Sequence, residues 1–238
     1  MDTELGRTLA EAARTIHIST DVDETLKAIA SAAMKSLPGF DAVGISTVDK
    51  KGRVTTRAAT GDLVWDLDAL QYELGEGPCV DTLREAEVVA APSIRHDQRW
   101  PRYVPRAVDL GLQSQLALKL FLDDEGTLGG LNLYSTQSEQ IHPEAEAIAE
   151  LFATHAAIAL GSARQIDALN EGLKTRSTIG QAIGMLMGQY TLNDDAAFGL
   201  LVRMSSTSNL KLRDIAAHLV DEANQRAADA KSSTKRGS

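Results

Sequence analysis

Two pairs of short strand-like runs, set inside a chain otherwise written in helical period, constrain the fold more than any other feature. Residues 42–49 (AVGISTVD) and 53–60 (RVTTRAAT) are β-branched runs joined by Lys50-Lys51-Gly52, a link short enough for a hairpin. Residues 114–122 (SQLALKLFL) and 128–135 (LGGLNLYS) form a second pair around Asp123-Asp124-Glu125-Gly126. Between the pairs, residues 61–115 read as irregular and hold both tryptophans, Trp65 and Trp100. Ahead of them, Leu5, Leu9, Ala12, Ala13 and Ile16 have the spacing of an amphipathic helix. A second helix carries Val22, Leu26, Ile29, Ala33 and Leu37, capped by Thr20 or Asp21 and stopped by Pro38-Gly39. Helix, hairpin, long excursion, hairpin, helix predicts an α+β domain, an antiparallel sheet with flanking helices packed on it.

After Pro143, a residue suited to a first helical turn, an alanine-rich helix extends to about residue 171. Along it His155, Ala159, Ser162, Ile166, Leu169 and Leu173 alternate steps of four and three. That is a heptad seam, able to pair two chains in parallel. The first half of the helix is read as lying on the sheet of its own domain. For the second half, pairing with another chain and packing within its own stand equally. Three further apolar-periodic stretches follow at 173–190, 194–204 and 210–226, an all-α ending with three helices. Asn193 caps the middle one, with Asp194 and Asp195 at the positive end of its dipole. SSTSN (205–209) reads as a polar connector.

The composition, 43% hydrophobic and 24% charged over 238 residues, allows a real core, and no run approaches the roughly 18 apolar residues of a membrane helix. The first residues are acidic and polar, without the apolar stretch of a signal peptide. A single cysteine, Cys79, excludes an internal disulfide and suits the reducing cytoplasm. The net charge of −9 argues against a general nucleic-acid coat and confines any such contact to one local segment. The histidines are dispersed, with no HExxH or HxH, so no metal site is expected. Gly75-Glu76-Gly77-Pro78 lacks the Lys-Ser/Thr of a phosphate-cradling loop, and there is no GxSxG elbow, so neither an enzyme nor a cofactor is expected. Glu76 and Asp81 flank Cys79 and raise a thiol's pKa, which favours a buried, inert cysteine over a redox one.

Residues 72–103, YELGEGPCVDTLREAEVVAAPSIRHDQRWPRY, resemble the central region of GAF domains of actinobacterial type. The GEGPC turn, the short helix after it, the stretch from Asp97 to Trp100-Pro101 and the later strand LGGLNLYS carry the likeness, over roughly residues 20–160. GAF domains are small-molecule sensors. The resemblance implies a pocket beneath the excursion, lined by Trp65, Tyr72, Cys79, Trp100 and Tyr103, with the ligand unspecified. Simple core filling is the alternative for each of these side chains.

Residues 173–220 are similar to an ANTAR domain, the three-helix output module of transcription antitermination regulators. Arg176, the Ile179-to-Met187 run ending in GMLM, Ala197-Phe198, Leu201, Ser205, and Leu212 with Arg213-Asp214-Ile215-Ala216 follow in order. Such domains bind RNA at paired small hairpins, which implies contacts from Lys174, Arg176, Arg203, Lys211 and Arg213. Lys211 and Arg213 flank the start of the last helix, where backbone N–H groups also face phosphate. The sequence departs from the pattern at Ala182-Ile183-Gly184, where many relatives carry a lysine, and at Gly188-Gln189, where a charged pair is common.

The resemblances together imply a sensor controlling an RNA-binding module. The boundaries are an N-terminal helix (1–19), a GAF-like domain (20–160), a linker helix (161–172), an ANTAR-like module (173–226) and a disordered tail (227–238). A homodimer is expected, its seam formed by Ala159, Ser162, Ile166, Leu169 and Leu173. Two alternatives stand beside this one. The first is a ligand or redox sensor that signals through protein–protein contacts, favoured by the acidic charge and the missing lysine. The second is a GAF-type sulfoxide reductase, for which a sole cysteine lacks the second thiol that would recycle it.

Overall fold

The structure, a computed structural model, describes residues 21–122 and 126–235. The expected N-terminal helix over 1–19, the turn residues 123–125 and the last residues, 236–238, lie outside the described part. The chain divides into two compact units, residues 1–164 and 165–238, each described by itself below.

The first unit is built on a five-stranded antiparallel sheet: β1 (Ala42–Val48), β2 (Val54–Ala59), β3 (Val88–Ala91), β4 (Ser114–Leu122) and β5 (Gly126–Ser135). Their spatial order is β2-β1-β5-β4-β3, so β5 returns to pair with β1 at the centre. The first hairpin closes as its sequence predicts. Asp49 accepts from the backbone N–H groups of Lys51 and Arg53, and Gly52 takes the left-handed conformation, φ 77°.

Side chains alternate across the sheet. Val43 and Ile45, Leu116, Leu118 and Leu120, and Leu131 and Leu133 form one core with helix α1 (Val22–Ser36) and the first part of the long helix α5 (Ala145–Tyr190). Asp21 caps α1, its carboxylate accepting from Asp23 N–H. The opposite face carries the alternate residues and is covered by α2 (Asp62–Leu74), α3 (Pro78–Arg84) and α4 (Tyr103–Asp109). Here α2 lies directly on β1. A Cβ on Gly44 would stand 2.5 Å from a Val64 methyl and 3.2 Å from Asp68 Oδ2, so only glycine admits this approach.

The excursion over 61–115 is therefore not irregular, as the sequence suggested. Its longest helix, α2, buries Val64, Leu67, Asp68, Leu70 and Gln71, and the two polar members interrupt the apolar stripe on which periodicity relies. Helices α3 and α4, of 7 residues each, are too short to display a period.

In the second unit the end of α5, helix α6 (Asp194–Ser208) and helix α7 (Leu212–Lys235) enclose a small core of Ala182, Leu186, Ala197, Leu201, Ile215 and Ala216. Three boundaries differ from expectation. The linker over 161–172 and the helix from 173 are one element, because α5 runs unbroken for 46 residues. The weak points there, Gly161 and Gly172, each cost a helix only about 1 kcal/mol relative to alanine. The connector at 205–209 is mostly helix: Ser206, Thr207 and Ser208 turn their hydroxyls onto the carbonyls four residues back, and α6 stops at Asn209 in the left-handed conformation. Finally, α7 continues to Lys235, past the boundary set at 226, through a sequence of ordinary helix formers.

Candidate functional site

In the first unit the candidate site is a chamber filled by buried, mutually hydrogen-bonded polar side chains between the sheet and α2–α4. Asp68 and Gln71, one turn apart on α2, are both completely buried. Asp68 accepts from Thr56 Oγ1 on β2 at 2.6 Å, from Asn132 Nδ2 on β5 at 3.1 Å, and from the Tyr134 hydroxyl. Tyr72 completes this side, its hydroxyl 3.2 Å from Thr56 Oγ1. Gln71 is the second hub. Its Oε1 accepts from Cys79 N–H at 2.9 Å and from Gln115 Nε2 at 3.2 Å, and its Nε2 donates to Tyr134 OH at 3.0 Å. Tyr103 OH donates to Gln115 Oε1 at 2.7 Å. Ser46 Oγ lies 3.7 Å from Cys79 Sγ and donates to the Gly130 carbonyl. Among the described residues one buried acceptor is left over, Asn132 Oδ1.

The GEGPC turn and the RWPRY stretch hold α3 and α4 together over this chamber. Glu76 accepts from the backbone N–H groups of Arg102 and Tyr103 and from Arg102 Nε at 2.6 Å. The Arg102 guanidinium accordingly holds the Glu76 carboxyl below its usual range. Trp100 Nε1 donates to Asp81 at 2.9 Å, and the Arg99 guanidinium stands 4.2 Å over the indole. Gly77, at φ 124°, passes so close to Gln71 that a Cβ would lie 2.5 Å from its Oε1.

The charges in the chamber are unusual. Burial pushes Asp68 up to about 6, against the pull of its hydrogen bonds from Thr56, Tyr134, Tyr72 and Asn132. Burial, reinforced by the nearby Asp68 carboxylate, pushes Cys79 up to about 12, so its thiol stays protonated. The Tyr103 and Tyr134 hydroxyls are raised for the same reasons and remain neutral donors.

Of the residues expected to line a pocket, the structure gathers Tyr72, Cys79 and Tyr103 around Asp68 and Gln71. Trp100 is buried beside them in the apolar core. Trp65 is not in the chamber: it is 48% exposed on the outer side of α2, with Asp66 and Ala69. Sequence reasoning missed Ser46, Thr56, Asp68, Gln71, Gln115, Asn132 and Tyr134. A signal was present, because Gln115 and Asn132 are amides set within the largely apolar runs SQLALKLFL and LGGLNLYS.

In the second unit Lys174, Arg176, Arg203, Lys211 and Arg213 are all exposed. Lys211 precedes α7 and its carbonyl accepts from Asp214 and Ile215 N–H. Arg213, in the first turn, reaches Glu171 on α5 at 4.0 Å and Asp214 at 3.5 Å. That contact brings the start of α7 to the turn of α5 that precedes Lys174. Arg176 is not on the same strip: two residues along a helix it lies about 200° around from Lys174. Ile183, the residue at which the sequence departs from the expected pattern, is half-buried against the three-helix core.

Along α5, Ile166, Leu169 and Leu173 are 57%, 69% and 64% exposed and Ser162 is exposed with them. Ala159 instead packs against the core of the sheet, since α5 still lies on the first unit at that point. Leu151 and Ile158, absent from the expected seam, are exposed large apolar residues. Among the described residues no helix is long and apolar enough to cross a membrane, and no group of three His, Cys, Asp or Glu side chains could hold a metal ion.

Comparison with known proteins places both units. The GAF domain family matches residues 19–161, more than half of the chain, and the ANTAR domain family matches residues 167–220. None of the curated proteins matches in sequence. The GAF domain of a phosphoenolpyruvate-protein phosphotransferase from Coxiella burnetii is 19% identical, with a TM-score of 0.56 over 69% of this chain and 96% of that one. The corresponding Acinetobacter domain is 15% identical, with a TM-score of 0.54 over 69% and 98%. The phytochrome photosensory core module of Stigmatella aurantiaca is 14% identical, with a TM-score of 0.55, covering 85% of this chain and 44% of its own. At such identities the likeness is one of fold. The chain belongs to the GAF domain family, and its GAF domain is followed by an ANTAR domain, an RNA-binding regulatory module.

Proposed function

We propose that the chain is a cytoplasmic, signal-responsive regulator of transcription antitermination. Its GAF domain senses a small molecule, and its ANTAR domain grips a two-hairpin RNA as one half of a homodimer. The observation that carries this reading is the exposed pair Lys211 and Arg213 at the opening of α7, beside the α5 turn that leads to Lys174. Backbone N–H groups at that helix start add to the attraction for phosphate. The dimer is supported by Ile166, Leu169 and Leu173, exposed large apolar residues that fall within about 60° of one another around α5. Two RNA sites held on one dimer gain from effective concentration.

The test is a titration of the full chain with a two-hairpin RNA, followed by anisotropy. Lys211→Ala with Arg213→Ala should weaken binding by about tenfold or more, each phosphate contact being worth on the order of 1 kcal/mol. An unchanged affinity removes these residues from the interface. A second reading, output through protein contacts, is favoured by one feature of α6. Phe198 and Val202 are 45% and 38% exposed one turn apart, in a helix that opens with Asp194 and Asp195. An apolar strip near acids suits a protein surface better than a phosphate backbone. A wild-type chain that leaves the two-hairpin RNA free transfers the function to that reading.

A further inference from the structure

Arg164 stands where α5 changes its surroundings. From Ala145 to Leu160 the helix buries Ile148, Phe152 and Ala156 against the sheet, whereas every residue from Gln165 to Lys174 is exposed. At the changeover Arg164 Nη2 donates to the Val48 carbonyl at 2.6 Å and to the Leu128 carbonyl at 3.4 Å. Those carbonyls belong to β1 and β5, the central pair of the sheet. Two residues away on each strand, Ser46 Oγ donates to the Gly130 carbonyl at 3.3 Å and lies 3.7 Å from Cys79 Sγ in the polar chamber. The strands are also tightly apposed, since a Cβ on Gly129 would lie 1.8 Å from the Ser46 carbonyl oxygen. Chamber, strand pair, guanidinium and helix thus form one unbroken series of contacts.

We propose that Arg164 is a positioning residue through which β1 and β5 set the helical order of the α5 segment after it, residues 165–172. The clasp deepens the sensor reading above and rests on it: a displacement at the Ser46–Cys79 contact is delivered to the helix that leads into the ANTAR domain. A guanidinium suits the task because its planar donors reach two carbonyls at once, and a charged donor makes the stronger hydrogen bond. The segment beyond gains from such an anchor, because residues 165–174 are exposed and contribute to neither apolar core, and a stretch of helix held by so little packing is marginally stable in water.

Hydrogen exchange of the full chain, without RNA, tests the clasp. Arg164→Ala should speed exchange of the 165–172 amides by about tenfold, the loss expected for a charge-assisted hydrogen bond, and leave residues 148–160 within about twofold of wild type. Ser46→Ala should speed the same segment when Arg164 is present and add nothing once it is Ala. Arg164→Lys, which keeps one donor, should fall between the two and provides the comparison if the alanine variant does not fold. Unchanged exchange at 165–172, an equal rise throughout the sensor, or a full additional effect of Ser46→Ala in the Arg164→Ala background would each overturn the clasp. The exchange measurements use no RNA, so a chain that fails to bind RNA would remove the output reading and leave this result standing.

Discussion

Asp68 is fully buried, and its hydrogen-bond partners, Thr56, Asn132, Tyr134 and Tyr72, are all neutral. Its carboxyl is pushed from 3.8 up to about 6, chiefly by burial. Between those two values the folded chain holds a proton that the unfolded chain has released, so stability falls as pH rises through this window and stays low above it. The shift corresponds to an upper bound of about 3 kcal/mol. Asp68→Asn removes the ionisation and keeps a hydrogen-bonding group of the same shape. The variant should gain melting temperature relative to wild type at pH 8 and gain little or lose at pH 5. A difference independent of pH would mean that Asp68 does not titrate in this window. Cys79 gives a companion expectation. Its thiol is buried and held protonated, so reaction with a thiol reagent should proceed only as fast as the protein opens. Rapid labelling of the native chain would restore the redox-sensor alternative.

At the scale of elements, the long helix decides most. On the sheet side α5 presents Ile148, Ala149, Phe152, Ala153, Ala156 and Ala157, and on the other side Leu151 and Ile158, so within the first unit it has both a covered and an uncovered apolar face. Replacing Ile166 and Leu169 with Lys should give monomers by sedimentation velocity with the melting of the GAF domain unchanged, because both side chains are more than half exposed. A dimer that persists places the interface elsewhere. The two strand pairs were legible as short β-branched or apolar runs set around turn residues, and α1 and the three-helix ending because their apolar positions recur at three to four residues. What escaped was polar and short. Asp68 and Gln71 broke the stripe of α2; Gln115 and Asn132 looked like blemishes in apolar strands; and the seam was begun at Ala159 because spacing alone does not tell which face of α5 the sheet covers. GEGPC marked the right turn, yet the role of Glu76 as acceptor for Arg102 and Tyr103 required the fold, since these residues lie far apart in the chain.

For the molecule as a whole, the net charge of −9 sets the terms on which RNA can be bound. A field of that sign repels a polyanion at long range, so association gains nothing from steering, and affinity must come from counterions released at local contacts. If Lys174, Arg176, Arg203, Lys211 and Arg213 all met phosphate, the logarithm of the affinity would fall against the logarithm of salt with a slope of about −3.5 to −4.5 per domain. The geometry reduces that figure. Lys174 and Arg176 lie on opposite flanks of α5, so one RNA surface takes only one of the two. About four contacts per ANTAR domain remain, for a slope of about −3 to −3.5. Lys211→Ala with Arg213→Ala should lower its magnitude by about 1.5 as well as weaken binding. Anisotropy titrations with a single-hairpin RNA at several potassium chloride concentrations measure both quantities. A slope much steeper than −3.5 would assign the contact to basic residues outside this set, and a slope near zero would make the surface one that reads something other than phosphate.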